Sequence, residues 1–271
     1  MQEKRRKKGE KGLKLDIINK SKDGLKTTFR LREVNASFAN ALRRIMISKV
    51  PTMAVEEVSF TQNSSALYDE VVALRLGLIP LTSDPSFLSE EECKCKGKGC
   101  AKCTVTLNLD KTGPCTVYAK DLVSSDPRVV PAFPDMPIVI LLEGQEIRIE
   151  AYAVKGVGTK HTKWSPCWVS YQYFPNVRVL KDCNACGDCV KVCPKNILEK
   201  KDDKIAVRDS INCHLCNACV DACTKNAIKA EGSENDFLFT VESFGQLPIS
   251  VIIEEACRYL SDELTELSKN I

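Results

Sequence analysis

Residues 35–50 read NASFANALRRIMISKV. Phe38, Leu42, Ile45, Met46 and Val50 recur at helical spacing, while Asn40, Arg43, Arg44 and Lys49 are polar or charged. That is the pattern of an amphipathic helix. Pro51 stops it, because the residue before a proline is pushed out of the helical region. Asn35 or Ser37 stands where a side-chain oxygen can accept an orphan N–H of the first turn. On pattern alone this is a core helix with a solvated basic face.

Upstream, Leu13, Leu15 and Ile17 alternate with polar residues, as do Leu25, Thr27, Phe29 and Leu31. Period-two alternation on either side of Asp23-Gly24 predicts an antiparallel hairpin leading into the helix. Downstream, short strands are expected at 54–62, 104–109, 115–122, 138–142, 147–153 and 167–174. Glu143-Gly144-Gln145 forms a turn between two of them. Asp69–Leu81 reads DEVVALRLGLIPL, a short helix that Gly77 can end and Pro80 cannot continue. After a cysteine-dense stretch, Asp236–Ser243 returns to strand pattern. Pro248 then opens a last helix, at a position where its missing N–H has no partner to lose. Ile249, Ile252, Ile253, Ala256, Leu260, Leu264 and Leu267 form its apolar stripe, with Glu254, Glu255, Arg258, Asp262 and Glu266 opposite. Neither terminal segment can bury its apolar face alone. Packed together they can, with stripe left over for a partner subunit.

Composition sets limits. The chain has 271 residues, 44% of them hydrophobic and 28% charged, as in globular proteins. No apolar run approaches the roughly 20 residues that cross a bilayer. The N-terminal stretch has no apolar signal region, so a cytoplasmic location is expected. The net charge of +3 hides an asymmetry: residues 1–14 carry +5 and the rest −2. A body this close to neutral does not suit a general DNA-binding protein. The basic segment 1–12 is expected to be a solvated arm.

Fifteen cysteines in a chain expected to stay reduced point to metal ligation rather than disulfides. Cys183, Cys186, Cys189 and Cys193, followed by Pro194, are spaced C-x2-C-x2-C-x3-C. Thirty residues on, Cys213, Cys216, Cys219 and Cys223 repeat that spacing. Lys195-Asn196 and Lys225-Asn226 recur in register. This is the spacing of two-cluster bacterial ferredoxins, in which the fourth cysteine of each run ligates the other cluster. The expected sets are therefore Cys183, Cys186, Cys189 and Cys223 for one [4Fe–4S], and Cys193, Cys213, Cys216 and Cys219 for the second. A pair of zinc sites is the weaker alternative. Thr224 stands where the first repeat has Pro194, which is expected to loosen the second loop.

A third cysteine group reads CKCKGKGCAKC. Cys93, Cys95, Cys100 and Cys103 suit a closed structural zinc site. Gly97 and Gly99 would permit the tight loop, and Lys94, Lys96, Lys98 and Lys102 would offset its charge. The alternative is four free thiols on a loop. Cys115, Cys167 and Cys257 are left over and are expected to be small buried hydrophobes. His161 and His214 are the only histidines. His161 is expected at a surface contact, and His214 beside a cluster rather than on it. No nucleotide, flavin or hydrolase motif occurs.

Three stretches carry a resemblance: FANALRRIMISKVPTMAVEEV at 38–58, DEVVALRLGLIPL at 69–81, and GQEIRIEAYAVKGVGTKHTKWSP at 144–166. They resemble the α-type assembly subunits of multisubunit RNA polymerase, a family with bacterial, eukaryotic and archaeal branches. The ferredoxin-like insert is similar to that of the archaeal branch, and the zinc-bearing members of the family carry a cysteine loop similar to the one at 93–103.

The resemblance implies an α+β chain of four parts. Residues 1–12 are a tail. Residues 13–51 plus 232–271 make a discontinuous α/β dimerisation domain. Residues 52–175 are an inserted mostly β domain, and 176–231 an inserted ferredoxin-like domain for two [4Fe–4S] clusters. It implies pairing with a small subunit, L, through Phe38, Leu42, Ile45, Ile249, Ile253, Leu260 and Leu264. The pair would nucleate assembly of the large catalytic subunits, this chain adding no catalytic residue. The iron–sulfur part would be structural or regulatory for assembly. Two rivals stand beside it. One is a ferredoxin-like electron-transfer subunit of an oxidoreductase, which the cysteine repeat alone would favour. The other is a free-standing metal-bearing adaptor for nucleic acid, which the near-neutral body disfavours.

Overall fold

The computed structural model describes residues 13–95 and 98–270. The expected basic arm 1–12, with Lys96 and Gly97 of the cysteine loop, lies outside the described residues. In chain order the elements are β1 (Lys14–Lys20), β2 (Lys26–Arg32), α1 (Ala36–Ser48), β3 (Thr52–Asn63), α2 (Asp69–Gly77), β4 (Thr104–Thr112), β5 (Cys115–Tyr118), β6 (Val123–Ser124), β7 (Pro137–Leu141), β8 (Glu146–Gly156), β9 (Cys167–Val179), α3 (Asp188–Lys191), β10 (Leu198–Lys201), β11 (Lys204–Val207), α4 (Ala218–Asp221), β12 (Ile228–Ser243) and α5 (Ile249–Lys269). The chain is mixed α/β. None of its described helices is long and apolar enough to cross a membrane.

These elements form two compact units. One comprises the described residues up to 19, with 28–40 and 170–240. Its sheet has the order β1-β2-β12-β9. Phe237, Phe239 and Val241 alternate along β12 and are fully buried, as period-two side chains on a covered face should be. Phe29 of β2 stacks on Phe239 with ring centroids 5.3 Å apart. Tyr171 of β9 lies 5.6 Å from Phe237 and 5.3 Å from Phe239. Arg30 pairs with Asp236 and lays its guanidinium 3.7 Å from the centre of the Phe174 ring.

β9 and β12 are longer than expected. The expected boundaries at 175/176 and 231/232 fall inside them. Pro175 lies within β9, the last strand of its sheet, and an edge strand accommodates proline because its outward N–H has no ladder partner. Beyond Pro175 the alternation resumes with Val177 and Val179, which pack with Ile228, Ala230 and the cysteine loops in one small core.

The second unit comprises 20–27, 41–169 and the residues from 241 on. Its main sheet runs β3-β8-β4-β6, with β5-β7 as a separate pair. Val105, Leu107 and Leu109 of β4 and Ile147, Ile149, Ala151 and Ala153 of β8 point into one core, which α2 covers with Val72 and Leu76. The strand expected over 115–122 stops at Tyr118. Ala119–Asp121 instead form a 3-10 turn, because the Asp121 carboxylate accepts the Tyr118 amide at 2.8 Å and bends the chain. Gly156 ends β8 where a Cβ would come within 2.4 Å of the buried Trp164 ring.

The terminal helices are built as their sequences imply. The Asn35 side chain accepts the Phe38 amide at 2.8 Å and caps α1. α1 buries Ala39, Leu42 and Met46, and α5 buries Ile249, Ile252 and Ala256. The Lys49 ammonium sits 5.6 Å from the Tyr259 ring centre on α5. From Ser261 to Lys269 every residue of α5 is exposed.

Candidate metal centres

The two cysteine runs fold into the same loop twice. Ala185 and Leu215 hold positive φ, 53° and 56°; Gly187 and Asn217 follow at 90° and 62°, and Asn196 and Asn226 at 49° and 48°. Left-handed backbone at three repeated positions curls each loop so that successive cysteines face inward. Each loop then enters a single turn of helix, α3 or α4, that buries Cys189 or Cys219. The second loop closes with the Asn226 amide on the Cys223 carbonyl at 2.9 Å, as the first closes with Asn196 on Cys193 at 3.1 Å.

Between the loops lie two small cavities of similar size. Cys183, Cys186, Cys189 and Cys223 line the first, beside Val179, Ile205 and Ile228. Cys193, Cys213, Cys216 and Cys219 line the second, beside Lys195, Ile197 and His214. Each cavity thus takes three cysteines from one repeat and the fourth from the other. Burial raises the Cys189 thiol, followed by the charges of Cys183, Cys186 and Cys223. It raises Cys219 likewise, followed by Cys213, Cys193 and Cys216. The Leu215 amide reaches the Cys213 sulfur at 3.4 Å, and the Ala227 amide the Cys223 sulfur at 3.2 Å.

The third group is of a different size. Among the described residues, only Cys93, Cys95, Cys100 and Cys103 bring all their sulfurs within 4.8 Å of one another. Cys93 to Cys100 is 3.5 Å, Cys95 to Cys103 is 3.4 Å, and Cys100 to Cys103 is 3.7 Å. Four thiolates on a tetrahedral zinc stand about 3.8 Å apart, given a Zn–S bond of roughly 2.3 Å. The loop is therefore sized for one ion. Among the described residues, no three of the repeat's eight cysteines bring their sulfurs that close together, a looser spacing than a single ion uses. The Lys102 amide, then the Cys93 thiol, lower the Cys100 thiol to about 7, which favours a thiolate at neutral pH. Gly99 holds φ 75° in this loop.

The remaining expected residues are distributed as follows. Leu42 and Ile249 are buried in the chain's own core. Phe38, Ile45, Ile253 and Leu260 are partly exposed, and Leu264 is 57% exposed. Cys167 is buried and its thiol pushed up to about 12 by desolvation. Cys115 is half-buried. Cys257, expected to be buried, is exposed: it falls just outside the Ile249–Ile252–Ala256 stripe that α5 turns inward. His161 is exposed, and its Nδ1 accepts the Lys163 amide at 3.1 Å, capping a short 3-10 turn. His214 is exposed at the second cavity.

Residues 57–166 match the family described as the RNA polymerase Rpb3/RpoA insert domain, and residues 182–228 match the 4Fe-4S dicluster domain. DNA-directed RNA polymerase subunit Rpo3 of Archaeoglobus fulgidus is 43% identical over 91% of this chain and 94% of its own length. The Rpo3 subunit of Methanosarcina acetivorans is 41% identical over 94% of this chain and 97% of its own. That of Pyrococcus furiosus is 38% identical over 92% and 93%. A mixed α/β chain with this insert and an iron–sulfur dicluster domain is an α-type polymerase subunit. The chain belongs to the archaeal DNA-directed RNA polymerase subunit Rpo3 family. An oxidoreductase subunit is not favoured by these relatives.

Proposed function

We propose that this chain is the non-catalytic scaffold on which an archaeal RNA polymerase assembles in the cytoplasm. Residues 13–51 and 232–271 form a discontinuous dimerisation domain, 52–175 an inserted β domain and 176–231 a ferredoxin-like domain. The chain pairs with the small subunit L, and the pair gathers the large catalytic subunits. The observation that carries the pairing is the second half of α5, where Leu264 and Leu267 are each 57% exposed beyond the buried first half of the helix. Ile253 and Leu260, also partly exposed on α5, extend that surface; Phe38 and Ile45 of α1 are the other expected contacts. Leu42 and Ile249 support it from within.

Cys183, Cys186, Cys189 and Cys223 hold one [4Fe–4S] cluster, and Cys193, Cys213, Cys216 and Cys219 the other. Cys93, Cys95, Cys100 and Cys103 hold one structural zinc. Bound clusters supply cross-links, eight cysteine–iron bonds in a module with few large apolar side chains, and small domains commonly need such staples. The module's surface is then a docking face for a large subunit, and its integrity follows iron and oxygen supply. A staple that is always filled is the plainer version of the same reading.

Co-expression with subunit L separates these readings. Cys183→Ser and Cys213→Ser variants are expected to keep pairing with L and to recover fewer large subunits. Unchanged recovery and transcription with both clusters absent would sink the regulatory version. Failure of the unaltered chain to pair with L would sink the scaffold reading.

A further inference from the structure

The two cysteine sets sit on the same backbone, so what separates them is the side chains around them. The thirty-residue register makes the comparison direct. Asn184, next to Cys183, becomes His214 next to Cys213. Gly187 becomes Asn217, and Asp188 becomes Ala218. The first cavity is walled by Val179, Ile205, Ala227 and Ile228, and Asn184 is its one polar side chain besides the cysteines. The second has Lys195, His214 and Asn217 in its wall, with Ile197 and Ala230.

Lys195 is the one lysine or arginine on either wall. Its repeat partner, Lys225, lines neither cavity, and the same holds for Lys191 and Asp221 in the two helical turns. The first set has a carboxylate beside it instead. Asp188 is held below its ordinary value by Lys191, at 3.1 Å, and then by the Cys186 thiol. Exposure differs as well. Lys195, His214, Cys216 and Asn217 are exposed at the second cavity, but only Asn184 and Cys186 at the first. Backbone donors do not distinguish the two. Each set receives one amide on sulfur, Ala227 on Cys223 and Leu215 on Cys213.

An oxidised cluster with four thiolates is already an anion, and one added electron makes it more negative. A nearby cation, an N–H donor and water all favour the more negative state, and apolar walls or a carboxylate oppose it. The imidazole of His214 offers an N–H in either protonation state. Every side-chain difference between the walls therefore acts in the same direction.

We propose that the two clusters are electronically unequal: the set Cys193, Cys213, Cys216 and Cys219 has the higher reduction potential, and Lys195 and His214 raise it. A low-potential one-electron donor then loses its electron to that end first, and no proton needs to move. This rests on the ligand sets proposed above and adds which of them answers to reduction, and through which side chains.

The test is an anaerobic, mediated redox titration of the full chain paired with its small subunit. Electron paramagnetic resonance follows the reduced clusters, and iron is measured alongside. Two one-electron waves are expected. At any one potential between them the reduced-to-oxidised ratios should differ at least tenfold, a separation of roughly 59 mV or more for a one-electron couple. Lys195→Gln and His214→Asn should each lower the upper wave and leave the lower one in place, and Lys195→Arg should keep the upper wave where it was. Asn184→His should raise the lower wave. A single wave for both clusters, or variants at 195 and 214 that move neither wave or both alike, would overturn the proposal, while iron matching two clusters would leave the ligand sets standing. If a neutral variant loses iron, the unaltered chain and Asn184→His decide the matter alone. A chain that binds no iron would overturn both readings.

Discussion

Asn196 and Asn226 stand thirty residues apart and hold one backbone conformation, φ 49° and 48°. Each returns its amide to the carbonyl of the last cysteine in its repeat, at 3.1 and 2.9 Å. Asparagine tolerates the left-handed region, whereas a β-branched residue is strained there. Asn226→Val should therefore destabilise the second loop by about 1–2 kcal/mol, and Asn226→Gly should be close to neutral. Thermal loss of cluster absorbance measures both. Equal melting of the two variants would contradict the conformational argument.

Crossed ligation has a distinct signature. Cys223 lies in the second repeat but lines the cavity of the first. Cys223→Ser should alter the same electron paramagnetic resonance signal as Cys183→Ser, and Cys193→Ser the same signal as Cys213→Ser. Pairing by repeat, with Cys223 following Cys213, would refute the assignment.

The cysteine loop at 93–103 is expected to bind one zinc per chain. Cys100→Ser should abolish it, because a closed tetrahedral site has no spare ligand. Metal analysis of a chain lacking the cluster-bearing residues isolates this site from iron. Zinc content unchanged by the substitution would exclude the four cysteines as the ligand set.

Leu260→Asp and Leu264→Asp test the pairing surface without disturbing the core, since neither side chain is buried within the chain. A charge placed in a covered apolar contact costs several kcal/mol, roughly a thousandfold in affinity. Size-exclusion chromatography of the co-expressed pair should show free subunits. A fully intact heterodimer would assign the α5 face to something else.

A Cβ at Gly156 would meet the Trp164 ring at 2.4 Å. Gly156→Ala should overpack the site and lower stability by about 1–3 kcal/mol, with a shift in the fluorescence of Trp164. Trp168, the other tryptophan, is exposed and should report no change.

The features legible in the sequence were those with a strict period. The 30-residue cysteine repeat, the hairpin around Asp23-Gly24 and the capped helix after Asn35 each declare themselves by spacing. The far end of β9, past Pro175, was not legible, because edge and interior strands follow different rules for proline and the sheet order is not written in the local sequence. Asp121 bent a strand that its neighbours favour. Cys257 lies only one position from the inward Ala256, and residue type cannot separate neighbours on a helix face.

β9 and β12 run unbroken from the Phe237–Phe239 core to the cysteine loops. Gln172 on β9 donates to the Cys213 carbonyl at 3.2 Å, and a Cβ on Gly232 would touch both Tyr173 and Leu215. The iron-bearing end is thus not a pendant on a hinge but the tip of two stiff beams anchored in the sheet. There is no slack between them to absorb a disturbance. Unravelling at the tip should travel as strain along β9 and β12, so amide exchange at Tyr171 and Phe239 would register the iron content of loops far along the same strands.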